Sequence, residues 1–199
     1  MTDQKKIIVV SGPSGAGKTT VINLAMKRRA DLRFSVSATT RAPREGETEG
    51  KDYFFVSVED FLRMAEEGEL LEHAQYVGNY YGTPRKPIEE MLEQGMDVVL
   101  DIEVQGAAQV RERVPGSISV FLTVPSFDVL RERLRARGTE TEERISERLA
   151  RAREEYKQIP YYDYIVINDD PVIAAEELCS IITAEKCRTA DRIKQLEEC

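Results

Sequence analysis

The clearest chemical feature of the sequence is a glycine-rich segment, Gly12–Thr19, which matches the pattern G-x-x-x-x-G-K-[ST] at every fixed position. Glycines let the chain wrap tightly, so successive backbone N–H groups can point into one concavity that suits phosphate groups. Lys18 would bring a positive charge to the β and γ phosphates of a nucleotide, and the Thr19 hydroxyl can bind Mg²⁺. The segment therefore predicts binding of ATP or GTP. The residues expected to bind this nucleotide are Gly12, Ser14, Gly15, Ala16, Gly17, Lys18, Thr19 and Thr20.

The surroundings of Gly12–Thr19 also suit a phosphate site. An apolar run, Ile7–Val10, precedes the segment and predicts a strand, and a helix is expected over Thr19–Arg29. A helix that begins at the loop directs the positive end of its dipole toward bound phosphates. This order of strand, loop and helix favours phosphate binding over a chance glycine-rich turn.

Four short runs rich in β-branched residues predict the strands of one sheet. Each is apolar almost throughout, as expected of strands buried on both faces of a parallel sheet. The runs are Ile7–Val10, Val98–Ile102, Ile118–Val124 and Tyr164–Ile167. Helices are predicted over Thr19–Arg29, Phe127–Arg137, Glu142–Gln158 and from Asp170 onward, with Thr141 and Asp170 as N-caps and Pro171 at a first helical position. The alternation of strands and helices predicts an α/β fold.

Residues 35–97 have a different pattern, with short strand-like runs and turn residues. The predicted features are strands at Tyr53–Val56 and Leu70–Val77, a turn at Gly78 and Asn79 leading into Tyr80 and Tyr81, and a helix over Glu59–Glu66 that Ser57 caps. This segment is expected to form a separate small lobe with a mixed or antiparallel sheet.

Charge and cysteine content disfavour several functional classes. The formal net charge of the 199-residue chain is −8, whereas nucleic-acid and anionic-membrane binders depend on clustered positive charge. The odd set Cys179, Cys187 and Cys199, with one histidine (His73), fits neither a disulfide framework nor a zinc site. The run Ile7–Val10 is too short for a signal peptide or a membrane span. We therefore expect a cytoplasmic protein without nucleic-acid or membrane partners, either a monomer or a homo-oligomer.

Several further strings make the sequence resemble the guanylate kinases, a family of phosphate-loop nucleoside monophosphate kinases. The resemblance covers nearly the whole chain in the expected order and spacing, and several strings are typical of that family rather than of phosphate-loop proteins in general. The strings lie at residues 34–47, 50–56, 78–83, 100–106, 137–142 and 165–169.

The resemblance implies a fold and an activity. The expected architecture is a single domain over residues 1–199, with a parallel-sheet P-loop kinase core (about 1–34, 98–125 and 158–199), a small inserted GMP-binding lobe (about 35–97) and a helical lid (about 126–157). The implied reaction is transfer of the γ-phosphoryl group of ATP to GMP, giving ADP and GDP by direct in-line transfer with Mg²⁺.

The resemblance also assigns the GMP site. It implies guanine contacts from Ser37, Glu72 and Thr83, and phosphate contacts from Arg41, Arg44, Tyr53 and Tyr81. Guanine presents two adjacent donors, N1–H and the 2-amino group, which suit one carboxylate, whereas adenine would leave that carboxylate without partners. The hydroxyls of Ser37 and Thr83 could donate to O6; the family often has serine at the latter position. Taken singly, the arginines would be solvated surface charges, Glu72 a strand-face carboxylate, and the tyrosines core residues.

Asp101 ends the buried run of residues 98–100, next to the phosphate loop. A carboxylate at the end of a central strand can hold Mg²⁺ directly or through water, so Thr19 and Asp101 are the predicted metal ligands. The resemblance also places Asp101 near the acceptor nucleotide. A helix cap or a turn residue is the alternative.

Arginines are the expected source of charge stabilisation during transfer. Phosphoryl transfer spreads negative charge over the migrating group, and the predicted catalytic residues are Lys18, Arg41, Arg137 and Arg148. By resemblance Arg133, Arg137 and Arg148 belong to the lid over ATP, although the neighbours of Arg133 offer other registers. The other arginines of this region, including Arg144, are expected on solvated helix faces. Asn168 resembles the family's adenine-side edge, where the contact could come from its backbone.

Two other functions remain open at this point. Guanylate-kinase-like domains also serve as scaffold modules that bind phosphopeptides, but their chief sequence sign is a degraded phosphate loop, and here Lys18 and Thr19 are present. A kinase for a non-nucleotide phosphate would not need Glu72 with Ser37 and Thr83, because a sugar phosphate has no guanine edge.

Overall fold

The structure, a computed structural model, describes residues 5–76, 78–136 and 141–196. The strands are β1 (Ile7–Ser11), β2 (Leu32–Phe34), β3 (Ala38–Thr39), β4 (Phe54–Phe55), β5 (Leu70–Tyr76), β6 (Asn79–Pro84), β7 (Asp97–Asp101), β8 (Ile118–Thr123) and β9 (Tyr164–Ile167). The helices are α1 (Lys18–Arg28), α2 (Val58–Glu66), α3 (Arg85–Glu93), α4 (Val104–Arg113), α5 (Phe127–Ala136), α6 (Glu142–Tyr156), α7 (Pro171–Lys186) and α8 (Thr189–Leu196).

The larger sheet is parallel, with the strand order β2-β7-β1-β8-β9. Its four longer strands are those predicted from the apolar runs, and the predicted α/β fold is confirmed. Strand order reverses beside β1, which has β7 on one side and β8 on the other. In open α/β sheets ligands bind outside the carboxyl ends of the strands at such a switch point, and Gly12–Thr19 begins at the end of β1.

Successive side chains of β1 pack alternately into two hydrophobic cores, one on each face of the sheet. Ile8 and Val10 pack on one face of the sheet with α1 and α7, whereas Ile7 and Val9 pack on the other face with α3 and α4. Because both faces are covered, all five residues of β1 are buried. The central strand that carries the phosphate loop is therefore fixed from both sides.

The smaller sheet is mixed, one of the two possibilities left open by the sequence. Its order is β4-β3-β6-β5, with β3 parallel to β4 and the other pairs antiparallel. Gly78, between β5 and β6, has φ +78°, a left-handed conformation that suits glycine in a turn. The sheet packs on α2 around buried Phe61.

The predicted helix starts are confirmed by their caps. The Ser57 hydroxyl accepts from the backbone N–H of Asp60 at 3.0 Å, and Asp170 accepts from Val172 at 2.7 Å. Thr141 caps α6 in the same way. Helix α5 is described up to Ala136, so the predicted end of that helix and Arg137 lie outside the described residues. Within the described chain, no helix is long and apolar enough to cross a membrane.

Candidate active site

The phosphate loop requires glycine at two positions for steric reasons. Gly12 has φ +145°, and a Cβ there would overlap the backbone carbonyl of Leu122 in β8. Gly17 has φ +89°, and a Cβ there would collide with the side-chain amide of Asn168. The loop encloses an opening of about 230 Å³, here called the loop hollow. It is lined by Pro13, Ser14, Gly15, Gly17, Lys18, Thr19 and Thr20.

The side chains of Asn168 and Arg133 support the phosphate loop by hydrogen bonds to its backbone. The Asn168 amide, 2% exposed, donates to the Ala16 carbonyl at 2.7 Å. The Arg133 guanidinium donates to the carbonyl of Asn168 at 2.8 Å and to that of Ala16 at 3.4 Å. Both residues were predicted to contact the donor nucleotide. In this structure their side chains bind backbone carbonyls and hold the loop in shape.

Lys18, Thr19 and Asp101 meet at the carboxyl ends of β1 and β7. These strands are parallel neighbours, with Val10 opposite Asp101, so the start of α1 lies beside the end of β7. The Lys18 ammonium donates to the Gly12 carbonyl at 2.8 Å and lies 3.8 Å from the Asp101 carboxylate. The Thr19 hydroxyl donates to Asp101 at 3.2 Å. Burial raises the pKa of Asp101, and Lys18 opposes that rise.

The hydroxyl and carboxylate oxygens of Thr19 and Asp101 are the hard ligands that Mg²⁺ prefers. Among the described residues, no group of three or more His, Cys, Asp or Glu side chains could hold a metal ion by itself. Thr19 and Asp101 offer two oxygen ligands, so a Mg²⁺ ion here would take its other ligands from phosphate oxygens and water. The donor set fits the predicted metal site.

A cleft of about 310 Å³, here called the Glu72 cleft, opens beside Lys18 and Asp101. Side chains two apart on a strand share a face, so Glu72 and Ala74 of β5 line the cleft together. The structure brings eight of the predicted site residues to its walls: Lys18, Ser37, Arg41, Arg44, Tyr53, Glu72, Tyr81 and Asp101. Gly82, Ile102 and Glu103, which were not singled out from the sequence, also line it.

Glu72 is a buried carboxylate, only 4% exposed. The Thr83 hydroxyl donates to it at 2.6 Å, because the two residues are paired across β5 and β6. Burial raises the pKa of Glu72 to about 7, although the Thr83 hydrogen bond and the charge of Arg113 act in the opposite direction. Thr83 was expected to donate to a ligand, but here its hydroxyl orients Glu72.

We expect Glu72→Gln to raise the melting temperature at pH 8 but not at pH 4. Folding raises the pKa of Glu72 from 4.5 to about 7. The contribution of Glu72 to the stability of the fold is therefore fully present below pH 4.5 and is lost as the pH rises through 7. At about 1.4 kcal/mol per pKa unit, the ionised carboxylate lowers the free energy of unfolding by about 3 kcal/mol. Glutamine does not ionise, so thermal denaturation should show a gain of several degrees at pH 8.

Exposed Glu69 provides a matched control for this measurement. Glu69→Gln removes the same charge from the same lobe without relieving a buried carboxylate, and its melting temperature should follow that of the parent chain at both pH values. A Glu72→Gln gain that is equal at pH 4 and pH 8 would contradict the assignment.

Arg41 is held in place by an acidic partner. Its guanidinium donates to the two carboxylate oxygens of Glu47 at 2.8 and 2.9 Å and lies 5.3 Å from the centre of the Tyr53 ring. Glu47 also accepts from the backbone N–H of Arg44 at 2.7 Å. The arginines lower the pKa of Glu47. Glu47 was not singled out from the sequence; its position three residues after Arg44 was the available signal.

A second opening of about 490 Å³, here called the arginine cleft, adjoins the first. It is lined by Arg41, Arg44, Asn79, Tyr81, Arg144, Glu147, Arg148 and Arg151. Arg148 of α6 donates to the Ser14 hydroxyl at 3.0 Å, which links this cleft to the phosphate loop. Arg144 was expected on a solvated helix face, but it also lines this cleft.

The three openings share residues and so form one continuous site. Lys18 lines both the loop hollow and the Glu72 cleft. Arg41, Arg44 and Tyr81 line both the Glu72 cleft and the arginine cleft. A ligand in the Glu72 cleft and phosphates in the loop hollow would therefore meet between Lys18 and the arginines.

Comparison with known proteins identifies the family of this chain. The guanylate kinase family model matches residues 4–185. The chain belongs to the guanylate kinase family. A guanylate kinase of Halalkalibacterium halodurans is 48% identical over 192 residues, covering 96% of this chain and 94% of that protein. A guanylate kinase of Caldanaerobacter subterraneus subsp. tengcongensis is 49% identical over 193 residues, covering 97% and 93%.

A solved structure gives the same family. The crystal structure of guanylate kinase from Anaplasma phagocytophilum matches with a TM-score of 0.76 and 37% sequence identity. The match covers 94% of this chain and 89% of that chain. The similarity to guanylate kinases thus extends over both sheets and the intervening helices.

Proposed function

We propose that this chain is an ATP-dependent guanylate kinase that transfers the γ-phosphoryl group of ATP to GMP, giving ADP and GDP. The observation that carries the proposal is the continuity of the site: Lys18 belongs both to the phosphate loop and to the cleft that contains Glu72. One opening suits a nucleotide's phosphates, and the other suits a purine with an adjacent phosphate.

The Glu72 cleft would hold GMP. The Glu72 carboxylate would accept from N1–H and the 2-amino group of guanine, and the Ser37 hydroxyl would donate to O6. Thr83 would fix the carboxylate through its 2.6 Å hydrogen bond. The phosphate of GMP would bind Arg41, Arg44, Tyr53 and Tyr81, the predicted set that lines the same cleft.

The loop hollow would hold the phosphates of ATP on the backbone N–H groups at the start of α1. Thr19 and Asp101 would hold Mg²⁺, which neutralises charge on the β and γ phosphates when it is bound with ATP. Asn168 and Arg133 would contribute by holding the Ala16 carbonyl and, with it, the loop.

Positioning and electrostatic stabilisation would account for the transfer itself. An oxygen of the GMP phosphate would attack the γ-phosphorus of ATP as the bond to the ADP oxygen breaks, in line and without a covalent enzyme intermediate. Lys18, Arg41 and Arg148 would stabilise the negative charge that spreads over the migrating group. Arg137, which lies outside the described residues, is proposed for the same role.

The proposed location is the cytoplasm. The free thiols of Cys179 and Cys187 fit its reducing conditions.

The proposal is tested by an assay that couples ADP formation to NADH oxidation, with ATP, Mg²⁺ and one acceptor at a time. We expect turnover with GMP and little or none with AMP, CMP or UMP. Equal turnover with AMP would contradict the assignment of Glu72 to guanine. Absence of turnover on every acceptor, together with no heat of ATP binding in a calorimetric titration, would instead indicate a binding module.

A further inference from the structure

The backbone conformation of Gly106 does not explain why this position is occupied by glycine. It is the third residue of α4, is buried, and does not have a positive φ. Glycine at such a position weakens a helix relative to alanine, because it loses more conformational freedom on folding. The reason for glycine must therefore lie in what surrounds it.

The space beside Gly106 is filled by Glu72. A Cβ built on Gly106 would lie 2.9 Å from Cδ and 3.4 Å from Cγ of Glu72, with Oε2 closer still. These three nearest atoms all belong to one side chain, the carboxylate on the floor of the Glu72 cleft. Any side chain at Gly106 would thus displace that carboxylate.

Glu72 has little freedom to move aside. Its other carboxylate oxygen accepts from Thr83 at 2.6 Å. Helix α4 is tied to both neighbours of Glu72 in β5: the Gln109 amide donates to the His73 carbonyl at 2.8 Å, and Arg113 donates to the Leu71 carbonyl at 3.2 Å. The helix and the strand are therefore held at a fixed spacing around Glu72.

We propose that Gly106 is a positioning residue for base selectivity. The missing side chain leaves the room in which the Glu72 carboxylate faces N1–H and the 2-amino group of a guanine. Gln109 and Arg113 set the spacing, and Gly106 makes that spacing compatible with a glutamate. The inference rests on the proposed function, since it concerns how the same cleft selects its base.

Gly106→Ala tests the inference through steady-state kinetics with GMP and with IMP, which lacks the 2-amino group. We expect the KM for GMP to rise at least tenfold, with a smaller change in kcat and an unchanged KM for ATP. The ratio of kcat/KM for GMP to that for IMP should fall, because a displaced carboxylate no longer accepts a hydrogen bond from the 2-amino group. A purely structural defect would not change this ratio.

Two further variants complete the test. Ala108→Ser adds one heavy atom on the exposed side of the same helix and should behave like the parent chain. Glu72→Asp shortens the acid by one methylene group, so adding Gly106→Ala to it should cause little further loss. The inference would be overturned if the losses of the two single variants multiplied in the double variant. An unchanged KM for GMP in Gly106→Ala would also overturn it.

Folding failure is also informative. If Gly106→Ala does not fold, the shorter acid in Gly106→Ala with Glu72→Asp should restore folding, and a double variant that also fails would contradict the contact. Absence of GMP turnover in the parent chain would refute the proposed function. Parent turnover with an unaffected Gly106→Ala variant would refute the inference alone.

Discussion

Lys18→Met is expected to lower kcat for GMP phosphorylation by about a thousandfold, in line with the loss of a preorganised charge in a phosphoryl-transfer site. Methionine keeps an unbranched side chain of similar shape but carries no charge to neutralise the β and γ phosphates. The lysine is preorganised by the Gly12 carbonyl at 2.8 Å and by Asp101 at 3.8 Å. The coupled assay at saturating ATP and GMP measures the effect.

Lys27→Met is the matched control, because Lys27 is an exposed lysine of the same helix. It removes an equal charge away from the loop and should leave kcat within about twofold of the parent value, as surface substitutions usually do. Retention of more than a tenth of parent activity by Lys18→Met would contradict the role given to this lysine.

Glu72→Gln should reduce kcat/KM for GMP by at least about a hundredfold, since hydrogen bonds to charged groups contribute about 1.5–3 kcal/mol each. A glutamine presents one acceptor and one donor, so its NH₂ group would face a donor of guanine. Thr83 can still donate to the remaining oxygen, which preserves the local structure. The KM for ATP should stay unchanged.

The thermal measurement separates this loss from unfolding, because the same variant is expected to be more stable at pH 8. Glu69→Gln again serves as the exposed control and should retain GMP turnover. If Glu72→Gln phosphorylates GMP as well as the parent chain does, the base is read elsewhere, and a kinase for a non-nucleotide phosphate becomes the better explanation.

The parts of the fold that the sequence predicts are those with local signals. The phosphate loop is a contiguous motif, and the four longer strands of the parallel sheet are apolar in most positions. Strand β2 was not predicted because it has only three residues, with the exposed Arg33 in the middle. Helices α3, α4 and α8 were not assigned either.

The site was predicted less completely because its contacts join distant parts of the chain. Asn168 holds the Ala16 carbonyl across 152 positions, and Thr83 binds Glu72 across 11. Gly106 has no pattern of its own that would reveal its contact with Glu72. A motif can name residue types for a reaction, but only tertiary packing shows which side chains hold the others in place.

Water is a competing acceptor for any enzyme that transfers a phosphoryl group. The Arg41 guanidinium is paired with the Glu47 carboxylate through two hydrogen bonds. A phosphate dianion entering the cleft would compete with Glu47 for the guanidinium. The Arg41–Glu47 pair would thus delay full electrostatic stabilisation until the acceptor is present, and it would limit wasteful hydrolysis of ATP.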